Sequence, residues 1–294
     1  MKKIAVCLSG YFDSLKDLTS RGHDGYEYIK KHILDHSSKN CEVDVFFHNW
    51  EPHLEKEICR LYNPQRHLVE PQIDFIKISE EHGVSRQDLD PRNQLGNWSV
   101  NSSVGSGYVG PERILSQHYS VQKSFQLMRA HEVENSFRYD CVVKTRFDLG
   151  RINRQTSGPG QQNPWASQCI DFNINYDMGK FYQVYWDLFN EGPADMWFYS
   201  SSENMECFTS LYDKVLTEYL QKGSEYSAAV TGGWPESSYN NYRTNEVFKP
   251  QEERDAQLHK YPPHLVVNAI LLMKWFLMEH NLWKNSVLLK TVWE

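Results

Sequence analysis

The residues best suited to chemistry follow a short apolar run in the middle of the chain. Residues 141–143 predict a buried strand, and Lys144, Arg146 and Asp148 follow it at alternate positions. Successive side chains of a strand point to opposite faces, so these three share a face while Phe147 points into the core. Ligands of open α/β sheets bind outside the carboxyl ends of the strands. An arginine and a carboxylate there suit a nucleoside diphosphate and its metal, although a surface ion pair explains them equally well.

Two further carboxylates are candidates for the catalytic step. Asp195 precedes the apolar run 196–199 and is expected to bind an acceptor or to act as general base in an inverting enzyme. Glu236 is its rival, because the preceding Gly-Gly-Trp-Pro offers an aromatic platform for a sugar ring beside a carboxylate. Loops of that composition are often plain turns.

The ends of the first two predicted strands supply candidate nucleotide contacts. Ser9, Gly10 and Tyr11 follow the first strand, where backbone amides can approach a nucleotide and Tyr11 or Phe12 can stack on its base. His48 and Trp50 follow the second strand and place polar and aromatic groups at the same edge. A plain turn at Ser9 and Gly10, and a core tryptophan beside a solvent-exposed histidine, are the alternatives.

The strongest predicted helix, residues 111–137, begins with a proline suited to the first helical position and carries an apolar side. Ser120 and Lys123 lie three positions apart on it, so they share a face that can contact ribose or phosphate. A solvated helix face is the alternative for both.

Strands and helices alternate along the first part of the chain, which predicts an α/β fold with a mostly parallel sheet. The expected helices are 26–36, 54–62, 111–137, 203–220 and 265–280, and the expected strands are 3–8, 43–47, 139–149 and 194–199, with weaker strands at 66–69 and 75–78. No internal repeat or long Pro, Gly or Ser tract marks a domain boundary, so residues 1–294 are expected to form one domain.

Composition excludes some classes of protein. Hydrophobic residues make up 40% of the chain and aromatic residues 14%, enough to fill a core and line a ligand groove. The net charge is −7 and the basic residues are scattered, which argues against nucleic-acid binding. The six cysteines form no CxxC pair and are expected to be reduced thiols. The first apolar run is too short for a signal peptide and no run is long enough to span a bilayer, so a cytoplasmic location is expected, with peripheral membrane association left open.

Five segments occur in a characteristic order along the chain. They are Ser9-Gly10, residues 43–50, residues 116–124, residues 139–149 and residues 194–205. In this order and spacing they resemble a group of bacterial and viral glycosyltransferase-like proteins associated with surface-polysaccharide genes. The resemblance covers about the first 150 residues most closely.

The resemblance implies a GT-A-like, Rossmann-like mixed sheet flanked by helices. Residues 1–150 would bind a nucleoside diphosphate sugar, and residues 151–294 would supply the acceptor side and a closing helix. It also implies Mn²⁺ or Mg²⁺ at the DxD position, where this chain has Arg146 in place of the first carboxylate and keeps only Asp148. A late histidine completes the metal shell in several enzymes of this type, which makes His264 a candidate ligand, although scattered histidines are more often structural.

The expected function is therefore transfer of a hexosyl or pentosyl group from a nucleotide sugar to a glycan or lipid-linked acceptor. Because the first DxD carboxylate is missing, Arg146 and Lys144 can instead neutralise the diphosphate without metal. For the same reason a catalytically silent nucleotide- or sugar-binding protein is the alternative. Nucleotidyltransferases and dehydrogenases are disfavoured, because the chain has neither a Gly-rich phosphate loop nor a GxGxxG fingerprint.

Overall fold

One seven-stranded sheet organises the protein. The computed structural model describes residues 1–12, 21–35, 41–85, 111–150, 169–184, 195–231 and 269–289, so Glu236 and His264 lie outside the described residues. The strands are β1 (Lys2–Gly10), β2 (Cys41–Asn49), β3 (Arg66–Val69), β4 (Cys141–Arg146), β5 (Phe181–Val184), β6 (Trp197–Ser200) and β7 (Ser286–Leu289). Their order across the sheet is β3-β2-β1-β4-β6-β5-β7.

The sheet is mixed and mostly parallel. Strand β6 runs antiparallel to its neighbours β4 and β5, and the other neighbouring pairs are parallel. From β1 the chain builds β2 and β3 to one side and then returns to place β4 on the other side. The topological switch point therefore lies between the carboxyl ends of β1 and β4, which is where such sheets bind ligands. The predicted α/β class with a mostly parallel sheet is confirmed.

Helices cover both faces of the sheet. They are α1 (Arg21–Ile29), which continues as a π-helix (Lys30–Leu34), a 3-10 turn (Pro52–Leu54), α2 (Glu55–Tyr62), α3 (Phe75–Glu81), α4 (Pro111–Glu134), α5 (Ser202–Thr209), α6 (Leu211–Lys214), a second π-helix (Val215–Tyr219), α7 (Glu225–Thr231) and α8 (Ala269–Glu279). None of the described helices combines the length and the apolar character that crossing a membrane requires.

Successive residues of the strands belong alternately to two separate apolar clusters. Cys7, Phe46 and Phe198 lie in the cluster beneath α3, α4, α5 and α8. Phe47 and Phe147 lie in the cluster beneath α1 and α2, so Phe147 points into the core as predicted. Because both faces are covered, the central strands are nearly continuous apolar runs, which made them readable from the sequence.

The carboxyl end of α4 is anchored by one buried glutamate. Glu132 is fully buried, and its Oε1 accepts hydrogen bonds from the Tyr139 amide (2.8 Å) and the Ser202 hydroxyl (2.7 Å). Its Oε2 pairs with Arg129 (2.8 Å) and Arg138 (3.4 Å). This carboxylate therefore joins α4 to the segment before β4 and to the first turn of α5.

Three expectations about elements were wrong. The weak strand at 75–78 is helix α3, because the Asp74 side chain caps it by accepting from the amides of Ile76 (3.0 Å) and Lys77 (3.1 Å). The helix expected at 203–220 is divided into α5, α6 and a π-helix. The short strands β5 and β7 were not predicted at all.

Candidate functional site

An arginine held between two carboxylates lies at the carboxyl end of β4. The side chain of Arg146 donates from Nε and Nη2 to the two oxygens of Asp148, both at 2.8 Å. Its Nη1 donates to Oδ2 of Asp195 at 3.1 Å. Because β6 is antiparallel, the residue that precedes it reaches the same edge where β4 ends. The sheet topology therefore brings Asp195 to Arg146 across 49 positions of sequence.

Part of the Arg146 guanidinium is available to a ligand. Its side chain is 37% exposed, against 15% for Asp148 and 26% for Asp195. A guanidinium carries five N–H donors, and three of them bond these carboxylates within the described part of the chain. Two donors remain for a bound oxyanion, on a group whose orientation the carboxylates already fix.

Charges within this cluster shift the pKa values of Arg146 and Asp195. The Asp148 charge raises the pKa of Arg146 above its ordinary value against the effect of burial, and Asp195 adds to this. Burial alone would raise the pKa of Asp195, but the charges of Arg146 and Lys144 outweigh it and hold that pKa below its usual range. At neutral pH the site therefore presents a cation beside an ionised carboxylate.

Lys144 is a buried neighbour of Asp195. It is 1% exposed, its ammonium donates to the backbone carbonyl of Asp195, and it lies 5.3 Å from the centre of the Phe198 ring. Burial lowers its pKa to about 8, so it is mostly protonated at neutral pH. We expected Lys144 to face the ligand, whereas the structure makes it a positioning residue for Asp195.

His118 is a member of this cluster to which sequence reasoning gave no role. It lies on α4, is 5% exposed, and its Nε2 atom has no hydrogen-bond partner among the described residues. Burial lowers its pKa to about 4, and the charge of Lys144 acts in the same direction while Asp195 opposes it. Gln183 on β5 is also fully buried, and neither of its amide atoms has a described partner.

The neutral His118 predicts acid sensitivity. An unfolded chain protonates this histidine near pH 6.5, whereas the folded protein resists protonation down to about pH 4. Stability from this group is therefore present above pH 6.5 and is lost as the pH falls towards 4. Between pH 7 and 5, His118→Leu is expected to lose about 2 kcal/mol less free energy of unfolding than the wild type. Urea denaturation at the two pH values measures this, and equal losses in both proteins would contradict it.

A second polar network joins the ends of β1, β2 and β3 to α4. His48 is fully buried, with Nδ1 at 2.8 Å from Oγ of Ser120 and Nε2 at 3.1 Å from Oε1 of Glu70. Burial lowers the pKa of His48 despite the opposing effect of Glu70. In a neutral ring, Nε2 therefore donates to Glu70 and Nδ1 accepts from the Ser120 hydroxyl.

This Ser–His–Glu chain has the residue types of a nucleophilic triad, but its geometry serves a structural role. Ser120 is fully buried, and its Oγ accepts the Gly10 amide at 2.8 Å. A serine nucleophile must reach a substrate, which complete burial prevents. The expected ribose or phosphate contact at Ser120 is absent from this geometry, and the Gly10 amide is already bonded. The network instead fixes the end of β1.

Side chains of β2 complete the support of the turn after β1. Asn49 donates to the Gly10 carbonyl at 3.0 Å, and Glu51 accepts the Phe12 amide at 2.6 Å. Gly10 has φ of 100°, a conformation that glycine adopts without steric cost. Ser9 is buried and aligns with both His48 and Arg146 across the three central strands. The two polar networks therefore lie side by side at one edge.

The aromatic candidates divide between core and surface. Trp50 is 4% exposed and stacks on Tyr119 at 5.5 Å, with His48 against its edge at 4.4 Å. The alternative of a core tryptophan beside a solvent-exposed histidine therefore holds for Trp50 but is wrong for His48, which is fully buried. Tyr11 is 40% exposed and donates its hydroxyl to Gln72 at 2.7 Å, so its aromatic ring is accessible at this edge. Lys123 bonds Gln126 at 3.3 Å and lies 5.0 Å from the Tyr119 ring.

Helix α4 forms a wall beside this edge. Ser120 marks the level at which the helix meets the end of β1, and nine residues of α4 precede it. At 1.5 Å per residue, about 14 Å of helix continues past this contact. Gln72 donates to Ser116 on that part of the helix at 3.2 Å, which links the wall to the segment after β3.

The described residues do not by themselves suit a divalent metal at Asp148. Both oxygens of that carboxylate bond Arg146, whose positive charge repels a second cation. Within the described ranges no three His, Cys, Asp or Glu side chains are grouped to hold a metal ion. His264 lies outside those ranges, so its assignment as a metal ligand stays a prediction.

Comparison with known proteins adds no assignment to this geometry. The sequence matches no protein-family model and shows no significant match to a curated protein. The interpretation of the site therefore rests on its own contacts. Of the predicted site residues, Arg146, Asp148, Asp195 and Tyr11 are partly exposed at the carboxyl edge, and Glu236 is outside the described residues.

Proposed function

We propose that this protein is a glycosyltransferase that moves a sugar from a nucleoside diphosphate sugar to a glycan or lipid-linked acceptor. The observation that carries the proposal is the position of Arg146. It lies beside the topological switch point, and two of its five N–H donors have no partner among the described residues. Arginine offers such donors in a planar fork that matches phosphate oxygens.

The chemistry follows from where charge develops. When the bond between sugar and diphosphate breaks, the leaving phosphate gains negative charge, and Arg146 stabilises it through donors that are already oriented. Lys144 adds a second positive charge, which is buried next to Asp195. The two cationic and two carboxylate side chains of the site have a net charge of zero. The ligand is therefore selected by oriented hydrogen-bond donors rather than by net charge.

Asp195 is the proposed base or acceptor-binding group. It is ionised and 26% exposed, and Arg146 contacts its Oδ2, so within the described part of the chain no other side chain stands between this carboxylate and a hydroxyl of the acceptor. A general base must lie within hydrogen-bond reach of the hydroxyl it activates. Because Asp195 contacts Arg146, an acceptor hydroxyl bound to Asp195 would lie next to a diphosphate bound to Arg146.

The fold supports the proposal at the coarse level of a mixed, mostly parallel sheet with its polar edge at the switch point. The finer GT-A-like assignment belongs to the proposal, as does a bound Mn²⁺ or Mg²⁺. Such a metal would neutralise charge on the diphosphate. Among the described residues Arg146 would neutralise the diphosphate instead, because its hydrogen bonds occupy both oxygens of Asp148.

Replacing Asp195 with asparagine tests the assignment of the reaction. The amide keeps the shape of the side chain but cannot accept a proton, so turnover is expected to fall about a hundredfold or more while donor affinity changes little. The rate of nucleoside diphosphate release and a donor titration measure the two effects. Asp213→Asn, an exposed aspartate of α6, is the control and should match the wild type. Equal losses of turnover and affinity in Asp195→Asn would argue against a catalytic role.

A catalytically silent binding protein is the second candidate. The bidentate contact of Arg146 with Asp148 favours it, because this contact takes up the carboxylate that remains at the DxD position. Saturable donor binding without release of nucleoside diphosphate would identify this case. Release above the spontaneous rate would identify an enzyme.

A further inference from the structure

Glu70 is a carboxylate at the ligand edge that no sequence pattern singled out. It follows β3 directly, and its amide donates to the Asn49 carbonyl at 3.1 Å, so its backbone is tied to the sheet. Its side chain is 27% exposed, between the ends of the strands and the wall formed by α4.

The orientation of this carboxylate is fixed through one oxygen. Oε1 accepts both the Tyr119 hydroxyl at 2.9 Å and Nε2 of His48 at 3.1 Å. Ser120 in turn fixes the His48 ring, so this donor to Glu70 keeps its position. The second oxygen has no hydrogen-bond partner in the described part of the chain. Because this carboxylate is already oriented, less conformational entropy is lost when a ligand bonds it than when a ligand bonds a mobile side chain.

An ionised carboxylate only accepts hydrogen bonds, so its ligand must donate them. Hydroxyl groups of a ribose do so, and an acidic residue near the carboxyl end of a strand binds ribose hydroxyls in dinucleotide-binding folds. The partly exposed ring of Tyr11 lies at the same edge and offers a flat surface for the base.

The spacing along the edge agrees with this assignment. Strands β3 and β4, which end next to Glu70 and at Arg146, are three positions apart in the sheet. At about 4.8 Å between neighbours, this separates the two sites by about 14 Å. A nucleoside diphosphate in an extended conformation is long enough to place its ribose at one and its terminal phosphate at the other.

We propose that Glu70 is a specificity-determining residue, whose free oxygen accepts hydrogen bonds from the ribose hydroxyls of the bound nucleotide. This inference rests on the proposed function and adds the sugar of the nucleotide as a recognised group. Wild-type protein therefore prefers a ribonucleoside diphosphate over its 2′-deoxy counterpart. Loss of a hydrogen bond to a charged acceptor corresponds to about a ten- to hundredfold preference.

Glu70→Gln tests the proposal without removing the support of His48. The amide oxygen can still accept from Tyr119 and His48, which places the NH₂ group where the free carboxylate oxygen lay. Calorimetric titrations would compare UDP, GDP, CDP and ADP with their 2′-deoxy counterparts. We expect the preference for ribose to fall about tenfold in the variant, because a neutral amide binds a hydroxyl more weakly than a carboxylate does. The affinity for the deoxy nucleotide should stay within about twofold of the wild type.

The matched control is Glu55→Gln, since Glu55 also bonds a histidine, His67, at 3.0 Å but lies on α2. It should keep the wild-type preference. A preference that persists in Glu70→Gln, a wild type that ignores the 2′-hydroxyl, or a wild type that binds no nucleotide would each overturn the inference. A ribose preference that depends on Glu70, with no sugar released from any donor, would support the inference while removing the proposed transferase function.

Discussion

Arg146→Gln is expected to weaken the binding of a nucleoside diphosphate sugar by about a hundredfold or more, because two charge-assisted hydrogen bonds to phosphate are lost. The substitution also leaves Asp148 and Asp195 without the cation between them. Two adjacent carboxylates repel an anionic ligand and raise the pKa of one another. Isothermal titration of donor into wild type and variant measures the change in affinity.

Two control variants make this result specific. Arg146→Lys keeps the charge but cannot contact both carboxylates and a phosphate in one plane, so an intermediate affinity is expected. Arg60→Gln alters an exposed arginine of α2, and its affinity should equal that of the wild type. If Arg146→Gln bound donor within about threefold of the wild type, the phosphate site would have to lie elsewhere.

Glu132→Leu is expected to lower the free energy of unfolding by about 3 to 5 kcal/mol, the range found when one partner of a buried charge pair is removed. Glu132 is fully buried and bonds an amide, a hydroxyl and two arginines. Leucine fills a similar volume but satisfies none of these donors. Chemical denaturation followed by circular dichroism measures the loss.

Glu134→Gln is the matched control on the same helix. Glu134 is 58% exposed and pairs with Arg66 at the surface. Exposed ion pairs contribute about 0 to 1 kcal/mol, so this variant should remain close to the wild type. If Glu132→Leu lost less than about 1 kcal/mol, Glu132 would not be the anchor of α4.

The central strands and α4 were predictable because each depends on a pattern that burial imposes. Strands covered on both faces need continuous apolar residues, which residues 4–8 and 141–143 supply. Strands β5 and β7 have four residues each, so their apolar runs are too short to distinguish a strand from other apolar segments. Helix α3 was misread as a weak strand from the short apolar segment 75–78, whereas the Asp74 side chain caps a helix by accepting from the amides of Ile76 and Lys77.

The site was predictable where position in a strand determines direction. The alternation correctly placed Phe147 in the core beneath α1 and α2, whereas Lys144, which was predicted to face the ligand, is itself buried. The exposure of each side chain was not predictable, since the burial of Lys144 depends on how β6 and α4 pack around it.

Contacts between distant segments could not be predicted from local sequence patterns either. His48 meets Glu70 across 22 positions and Ser120 across 72. Such pairs follow from the order of strands and from the fit of α4 against them. One sequence contains no direct signal of either, which is why Glu70 and His118 received no role.

The most direct test of the account is the release of nucleoside diphosphate from a panel of UDP-, GDP- and dTDP-linked sugars, measured for wild type and Arg146→Gln with and without Mn²⁺. We expect the wild type to turn over one nucleotide family and Arg146→Gln to lose this turnover. No release from any donor, or equal release by both proteins, would contradict the assignment of a nucleotide-sugar site at Arg146.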